Sequence, residues 1–478
     1  MHRIDRGGNL PVSLNQELRL MLHLGNPQTN ANLVGFGLNF EGEVESELLQ
    51  AAINEVVHRH EVLRTRFLAE ASFGPVRLTG WEKVSQVLGA SGNTASVRIS
   101  AKVQPSAFVR LEYSDLRSCN LTDQANEIAA VTRLALRSPY DYACPPFVRP
   151  VLIRQGDRRY MLIFASCHLV IDGLSQRIFE REMLAFYESL RLGIPHGLQD
   201  LPVQYVDFAG WQRHRLDGPL LETITSYWQN IKNSFPSLPA FGAEFLRKTG
   251  GAPDNLAPLE TVELTPELSK SLHSLAKQGF LPYSIAVGSV GILLHRITGR
   301  ERIPIRGTFG NRVHPDVQDL IGDFATAQLL GIQIAPDSTF RDVVSQAHAV
   351  ILQAIAHQEA VPRFSNSTST RNIVRSSLEP AGAESPAVFC EVVRETVATN
   401  IGGFSVRAVS LVEYHGMIVV PLKFTFVQSA SGQFTKIVAA FHTQRYDREG
   451  VQKMLKSLLS ILTDSQTVDK ANSKNLTS

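Results

Sequence analysis

The chain has 478 residues, 44% of them apolar and 19% charged, enough to bury one large core or two ordinary ones, which excludes disorder as the dominant state. Lys and Arg number 47 against 45 Asp and Glu, a net charge of +2, which argues against a surface built to neutralise many phosphates of a nucleic acid. Four cysteines, Cys119, Cys144, Cys167 and Cys390, form no Cys-x-x-Cys pair, so neither a zinc knuckle nor a disulfide framework is expected. The start of the chain lacks the apolar run of a secretory signal, and the most apolar stretch, residues 160–171, is about half the length that spans a bilayer. A cytoplasmic protein with no membrane partner is expected.

In chain order, residues 32–40 alternate apolar and polar side chains in the period of a strand. A helix is expected from Ser46 to His60, capped by Ser46, with Leu49, Ile53, Val56 and Val57 as its buried stripe. Thr122 is the expected cap of a second helix carrying Ile128, Val131 and Leu134, before Pro139, Pro145 and Pro146 break the chain. Strands follow at 148–154 and 160–166, the latter so apolar that both faces should be covered. It runs into Cys167-His168-Leu169-Val170-Ile171-Asp172-Gly173. A helix carrying Ile178, Phe179, Met183, Phe186 and Leu190 comes next, closed by Gly193 and Pro195.

The stretch 193–202, rich in Gly and Pro, divides the chain into an expected first unit, 1–192, and a second, 193–478. The second unit should hold helices from Thr265–Pro266, at 282–298 and at 341–357, a strand at 302–308, and a long exposed loop over 364–387. Strands are expected at 388–393, 406–412, 418–427 and 436–442, with a last helix over 448–462. Helices interleaved with strands over this length imply a two-domain α/β protein.

His168, Asp172 and Gly173 form His-x-x-x-Asp-Gly between a buried strand and a helix, where a side chain can project into a cleft. A neutral imidazole can take a proton from an amine or hydroxyl as that group attacks a carbonyl. Asp172 can fix the turn through backbone amides or a cation, and Gly173 admits a backbone conformation closed to other residues. The plainer alternative is a core histidine satisfied by a carbonyl, beside an ordinary Asp cap.

Neighbouring segments, taken in order, resemble the condensation domains of nonribosomal peptide synthetases over most of the chain. Ser13-Leu14-Asn15-Gln16-Glu17-Leu18-Arg19-Leu20 is similar to the family's opening segment, and Arg59-His60-Glu61-Val62-Leu63-Arg64-Thr65-Arg66-Phe67 to its second motif. Residues 167–173 correspond to its His-His-x-x-x-Asp-Gly. Tyr205-Val206-Asp207-Phe208-Ala209-Gly210-Trp211-Gln212, with Tyr227-Trp228 downstream, is similar to the fourth motif. Ile321-Gly322-Asp323-Phe324 partly matches the fifth and His357-Gln358-Glu359 the sixth.

The resemblance implies two chloramphenicol-acetyltransferase-like subdomains in a V-shaped pseudo-dimer with a central tunnel. It makes His168 the catalytic residue, with Cys167, Asp172, Gly173 and Arg64 in support and Arg64 as salt-bridge partner of Asp172. It implies no metal and no bound cofactor, substrates presented on the phosphopantetheine of an acyl or peptidyl carrier protein, and an amine or alcohol acceptor. Backbone amides near Gly173 are candidate oxyanion donors. The chain departs from the family at Cys167, where a first His is expected, at Phe324-Ala325-Thr326 in place of Phe-Val-Asn, and at Ser385-Pro386-Ala387-Val388-Phe389, where a motif is reduced. Cys167 is small and apolar, a supporting residue; as a nucleophile it would have only His168 beside it as base.

A free-standing, monomeric condensation enzyme forming an amide or ester in natural-product biosynthesis is expected. The rivals are a coenzyme-A-dependent acyltransferase of the same superfamily and a catalytically inactive recruitment domain. The aromatic residues Tyr205, Phe208 and Trp211 and the side chain of His357 are expected in packing roles, and His415 in a turn.

Overall fold

A computed structural model describes residues 1–25, 33–71, 74–76, 98–235, 238, 241–242, 245–246, 258–359, 388–395, 398–401, 403–409, 411, 421–443 and 445–468. The strands in chain order are β1 (Leu33–Glu41), β2 (Thr65–Ala71), β3 (Gly74–Val76), β4 (Arg98–Val103), β5 (Glu112–Asp115), β6 (Val148–Gly156), β7 (Arg159–Cys167) and β8 (Leu259–Glu263). They continue with β9 (Arg302–Phe309), β10 (Thr326–Gln333), β11 (Val388–Arg394), β12 (Thr399–Ile401), β13 (Phe404–Val409), β14 (Leu422–Gln428) and β15 (Phe434–Phe441). The helices are α1 (Leu14–Gly25), α2 (Ser46–Arg59), α3 (Leu121–Arg137), α4 (Gly173–Leu192) and α5 (Tyr205–Arg215), then α6 (Pro219–Ser234), α7 (Pro266–Lys277), α8 (Pro282–Thr298), α9 (Phe340–Ala356) and α10 (Arg448–Val468). No single helix among the described residues is long and apolar enough to cross a membrane.

A first sheet runs β12-β13-β1-β7-β6-β5, a second β10-β9-β11-β14-β15-β8, and a small third β3-β2-β4. The apolar run of β7 has its cause here. The strand lies in the middle of the first sheet, antiparallel to β1 on one side and β6 on the other, and every residue after Arg159 is buried. It ends at Cys167 opposite Leu33. Asp172 then caps α4, its carboxylate accepting the Ser175 amide at 2.7 Å, and Gly193, at φ 64°, ends that helix as the sequence predicts.

The two six-stranded sheets are not built from contiguous halves of the chain. β13 lies antiparallel to β1, so residues 399–409 join the sheet whose other strands all precede residue 168. Val317, Leu320, Ile321, Phe324, Phe404 and Val406 likewise pack in the core around β1 and β7. A second core gathers α7 to α10 on β9, β10, β11, β14 and β15.

Several local expectations are corrected. Asn120, not Thr122, caps α3, because its side chain reaches the Asp123 amide at 2.9 Å. Ser46 is the first helical residue of α2 rather than its cap. The strand β10 went unread: Thr-Ala-Gln-Leu-Leu-Gly-Ile-Gln is poor in β-branched residues, and its place at the sheet edge follows from pairing with β9. The segment 364–387 and His415 lie outside the described residues, as do Ser385, Pro386 and Ala387.

Candidate active site

His168 is the first residue past β7, half-buried among neighbours of which Cys167, Leu169, Val170, Ile171 and Asp172 are buried. Its Nδ1 lies 3.2 Å from the Ile171 carbonyl oxygen. With a carbonyl as partner, Nδ1 must carry the proton and donate, so Nε2 is the ring's acceptor. Gln16 of α1 holds the same loop, donating through Nε2 to the Leu169 carbonyl at 2.8 Å. Burial, reinforced by the positive charge of Arg19, pushes the His168 imidazole down to about 3. The ring is neutral at physiological pH. Burial pushes the neighbouring Cys167 thiol up to about 12, so Cys167 is a protonated, packed side chain without nucleophilic character.

Asp172 is the fixing point. Besides capping α4, it accepts the amides of Phe324 and Ala325 at 3.1 and 3.2 Å and pairs with Arg312 Nη2 at 3.4 Å. Arg312 in turn donates to the carbonyls of Val317 and Leu320, at 2.6 and 2.7 Å, and to Ser175 Oγ at 2.8 Å, and its guanidinium lies 4.1 Å from the centre of the Phe324 ring. This corrects the expected Arg64–Asp172 pair. Arg64 closes the 3-10 turn before β2, and its guanidinium is held there by the Gln104 and His58 carbonyls, beside the small third sheet.

Gly173 also differs from expectation. Its φ lies outside the left-handed region, and a Cβ placed on it would meet nothing within 4 Å among the described residues. What glycine supplies is open space at the mouth of α4, rather than an unusual backbone. The Ser175 amide, engaged by Asp172, is removed from the candidate oxyanion donors.

A second ion pair stands behind the loop. Arg19 of α1 holds Asp323 through Nε at 2.5 Å and Nη2 at 3.1 Å, with the Asp323 side chain fully buried. Burial pushes Asp323 up to about 6 despite this partner. Asn15 donates to the Asp323 and Ala325 carbonyls, and the buried Tyr205 hydroxyl reaches Ser13 Oγ and the Asp323 carbonyl at 2.9 and 2.6 Å. The opening, third, fourth and fifth motif segments thus meet around His168. The second motif supports them from further off. His60 contacts Glu182 of α4 at 2.8 Å, and the Ile321 amide donates to His60 Nδ1 at 3.3 Å. His357 has the packing role expected of it, stacked on Tyr227 with ring centres 3.9 Å apart.

The sequence reading missed Arg312, which stands in Gly310-Asn311-Arg312 immediately after β9. The usable signal was an arginine in a glycine-containing turn at the end of a strand whose residues alternate between exposed and buried. Among the described residues, no group of three or more His, Cys, Asp or Glu side chains is placed to hold a metal ion.

Residues 7–85 and 96–366 match the family described as Condensation domain. Among curated proteins, the chain is 29% identical over 360 residues, 75% of its length, to phosphinothricin tripeptide synthetase PhsC of Streptomyces viridochromogenes, covering 30% of that protein. It is 28% identical over 354 residues, 73% of its length, to chondramide synthase cmdD of Chondromyces crocatus, covering 8% of that protein. The chain therefore spans less than a third of the length of these synthetases. Among solved structures, the first condensation domain of the calcium-dependent antibiotic synthetase, in complex with substrate analogue 3a, superposes at TM-score 0.75 and 16% identity, over 99% of this chain and 98% of that one. SgcC5 of Streptomyces globisporus does so at 0.70 and 19%, over 96% and 99%. The X-domain in complex with OxyB from teicoplanin biosynthesis does so at 0.73 and 19%, over 100% and 98%. With the His-x-x-x-Asp-Gly loop at the end of a central strand and a family match across most of its length, the chain belongs to the condensation domain family.

Proposed function

We propose that the protein joins a carrier-tethered acyl group to an amine or hydroxyl acceptor, forming an amide or ester. The observation that carries this is the neutral, half-buried His168 ring, oriented by the Ile171 carbonyl so that Nε2 is its acceptor. The acceptor's N–H or O–H would hydrogen-bond to Nε2 while its lone pair attacks the thioester carbonyl. The C–N or C–O bond forms, the C–S bond breaks, and the proton passes to the departing phosphopantetheine sulfur. Because burial and Arg19 disfavour an imidazolium, His168 orients the nucleophile and relays the proton without storing it. Asp172, tied to Arg312, Phe324 and Ala325, is a positioning residue that fixes the loop. The two substrates would enter from opposite ends of a passage between the halves, and the open space at Gly173 suits the approach of a pantetheine arm.

A second function is favoured by one feature, the buried Cys167 in place of the first motif histidine. A domain that recruits a partner without chemistry would tolerate such a change, and the neighbour solved in complex with OxyB is an X-domain. Mass spectrometry of an acyl-loaded carrier protein, incubated with the chain and candidate amines and alcohols, separates the possibilities. A new amide or ester with loss of acyl from the carrier supports the proposal. Transfer from acyl-coenzyme A alone points to the related acyltransferase activity, and carrier binding with no transfer to any acceptor overturns catalysis in favour of recruitment.

A further inference from the structure

The strand β9 has two unlike faces. Ile303, Ile305 and Phe309 point into the second core, where Tyr283 of α8 fills the space over Gly307. Arg306 and Thr308 point the other way and are exposed. On that face Arg306 has an apolar neighbour on each side, Leu329 opposite it on β10 and Phe389 opposite it on β11, both half-buried.

Arg306 is a cation without an answering charge. Among the described residues its side chain makes no ion pair and no hydrogen bond. By strand register the next acid along this face is Glu391 of β11, and it is engaged by Lys423 at 2.9 Å and by the Thr425 hydroxyl at 2.7 Å. Burial lowers the Arg306 guanidinium from its ordinary value with no acidic group acting against it, whereas at Arg312, which burial also lowers, Asp172 opposes the effect. A side chain that solvent reaches and that the fold nonetheless strips of part of its water lies in a recess, where an unanswered charge is costly and an anion would be welcome.

The recess leads toward the His168 loop. From Arg306 the strand runs four residues, about 13 Å, to Gly310, where a Cβ would lie 3.1 Å from Leu174 Cδ1 in the first turn of α4. Two residues further, Arg312 holds Asp172. Arg177 of α4 donates to the Arg394 carbonyl at the end of β11 at 3.4 Å. The helix that follows His168 thus leans on the ends of β9 and β11, and Arg306 stands back from it along the free face of the sheet. A group held there is remote from the atoms that react.

We propose that Arg306 binds a carboxylate at the far end of a substrate side chain, with Leu329 and Phe389 packed against the apolar stem that carries it. A carboxylate is planar and meets a guanidinium through two parallel hydrogen bonds. The proposal rests on acyl transfer only in assigning that side chain to one of the two substrates, the acyl donor or the nucleophile.

The test is calorimetric titration of the full chain with 5-phenylpentanoate and 5-phenylpentanamide, which match in shape and differ in charge. The acid is expected to bind the unmodified chain at least about tenfold more tightly than the amide, the size of one charge-assisted hydrogen bond, and to weaken as salt is raised. Arg306→Gln removes the charge. Thr308→Glu keeps Arg306 and sets an acid two residues along the same exposed face. Each should bring the preference to within about twofold. No binding of the acid by the unmodified chain at millimolar concentration, equal binding of acid and amide, or a preference that survives Arg306→Gln overturns the site. Phosphopantetheine serves as the other anionic probe: binding of it that Arg306→Gln abolishes would assign the charge to the carrier arm and overturn the carboxylate.

Binding by a chain that transfers no acyl group keeps this site and discards the transfer activity; transfer by a chain that binds no acid does the reverse. Where transfer occurs, inhibition by the acid competitive with the acyl thioester assigns the carboxylate to the donor, and inhibition competitive with the nucleophile assigns it to the acceptor. Inhibition competitive with neither overturns its assignment to a substrate.

Discussion

His168 titrates far below an ordinary imidazole, and the consequence for stability has a definite sign. Its value falls from 6.5 to about 3 in the fold, so folding favours the neutral ring. That contribution is complete above pH 6.5 and is lost as pH falls toward 3. Asp323 acts in the opposite sense, its raised value favouring the fold below its ordinary 3.8 and less so as pH rises through about 6. Comparing the parent with His168→Ala at the same pH cancels the Asp323 contribution. The melting temperature of the parent is expected to fall more steeply than that of the variant between pH 6.5 and 4, measured by calorimetry; parallel curves would contradict the shift. Gly173→Ala separates approach from folding: with open space around it, the variant should melt at or slightly above the parent temperature while its KM for the loaded carrier rises. At this scale His168 and Asp172 were legible because they share one loop, where spacing in sequence is spacing in space. Arg312 was not, because it lies 140 residues from Asp172 and only the packed fold brings the two charges together.

At the scale of elements, the site depends on the start of α4 being tied to residues 312–325. Asp172→Ala leaves Arg312 buried without its carboxylate and frees the Phe324 and Ala325 amides, a loss expected at about 3–5 kcal/mol in denaturant unfolding. A double-mutant cycle with Arg312→Ala should show coupling above about 1 kcal/mol, whereas the cycle of Asp172→Ala with Arg64→Ala should be additive within about 0.5 kcal/mol. The reverse pattern would restore the Arg64 pair. Gly322 has a separate steric duty, since a Cβ there would lie 1.9 Å from Tyr205 Cδ2. Gly322→Ala must displace the Tyr205 ring that touches Ser13 and Asp323, and is expected to destabilise by about 1–3 kcal/mol. Most elements were readable from periodicity and caps, as with α4, α7 and α8, whose Asp172, Thr265–Pro266 and Pro282 starts are local signals. The edge strand β10 was not, since its own composition is ambiguous and pairing with β9 decides it.

At the scale of the whole molecule, β13 beside β1 and the packing of residues 317–324 into the first core stitch the halves together. A fragment of residues 1–192 would leave β1 without β13, and Asp172 without Arg312, Phe324 and Ala325. It is expected to show no cooperative unfolding transition by circular dichroism, whereas the full chain does; a cooperatively folding fragment would contradict the stitching. Past residue 193 the chain stays in the first core through Leu201, Val203, Tyr205, Val206 and Phe208, and long-range strand exchange leaves no mark in composition or period.

The central claim is that the neutral imidazole of His168 carries acyl transfer. Single-turnover product formation from an acyl-loaded carrier, measured for the parent and for His168→Ala at matched melting temperature and saturating acceptor, tests it most directly. A loss of about 10²–10⁴-fold in rate with the fold retained is the expected result. Transfer at the parent rate by the folded variant would contradict the claim.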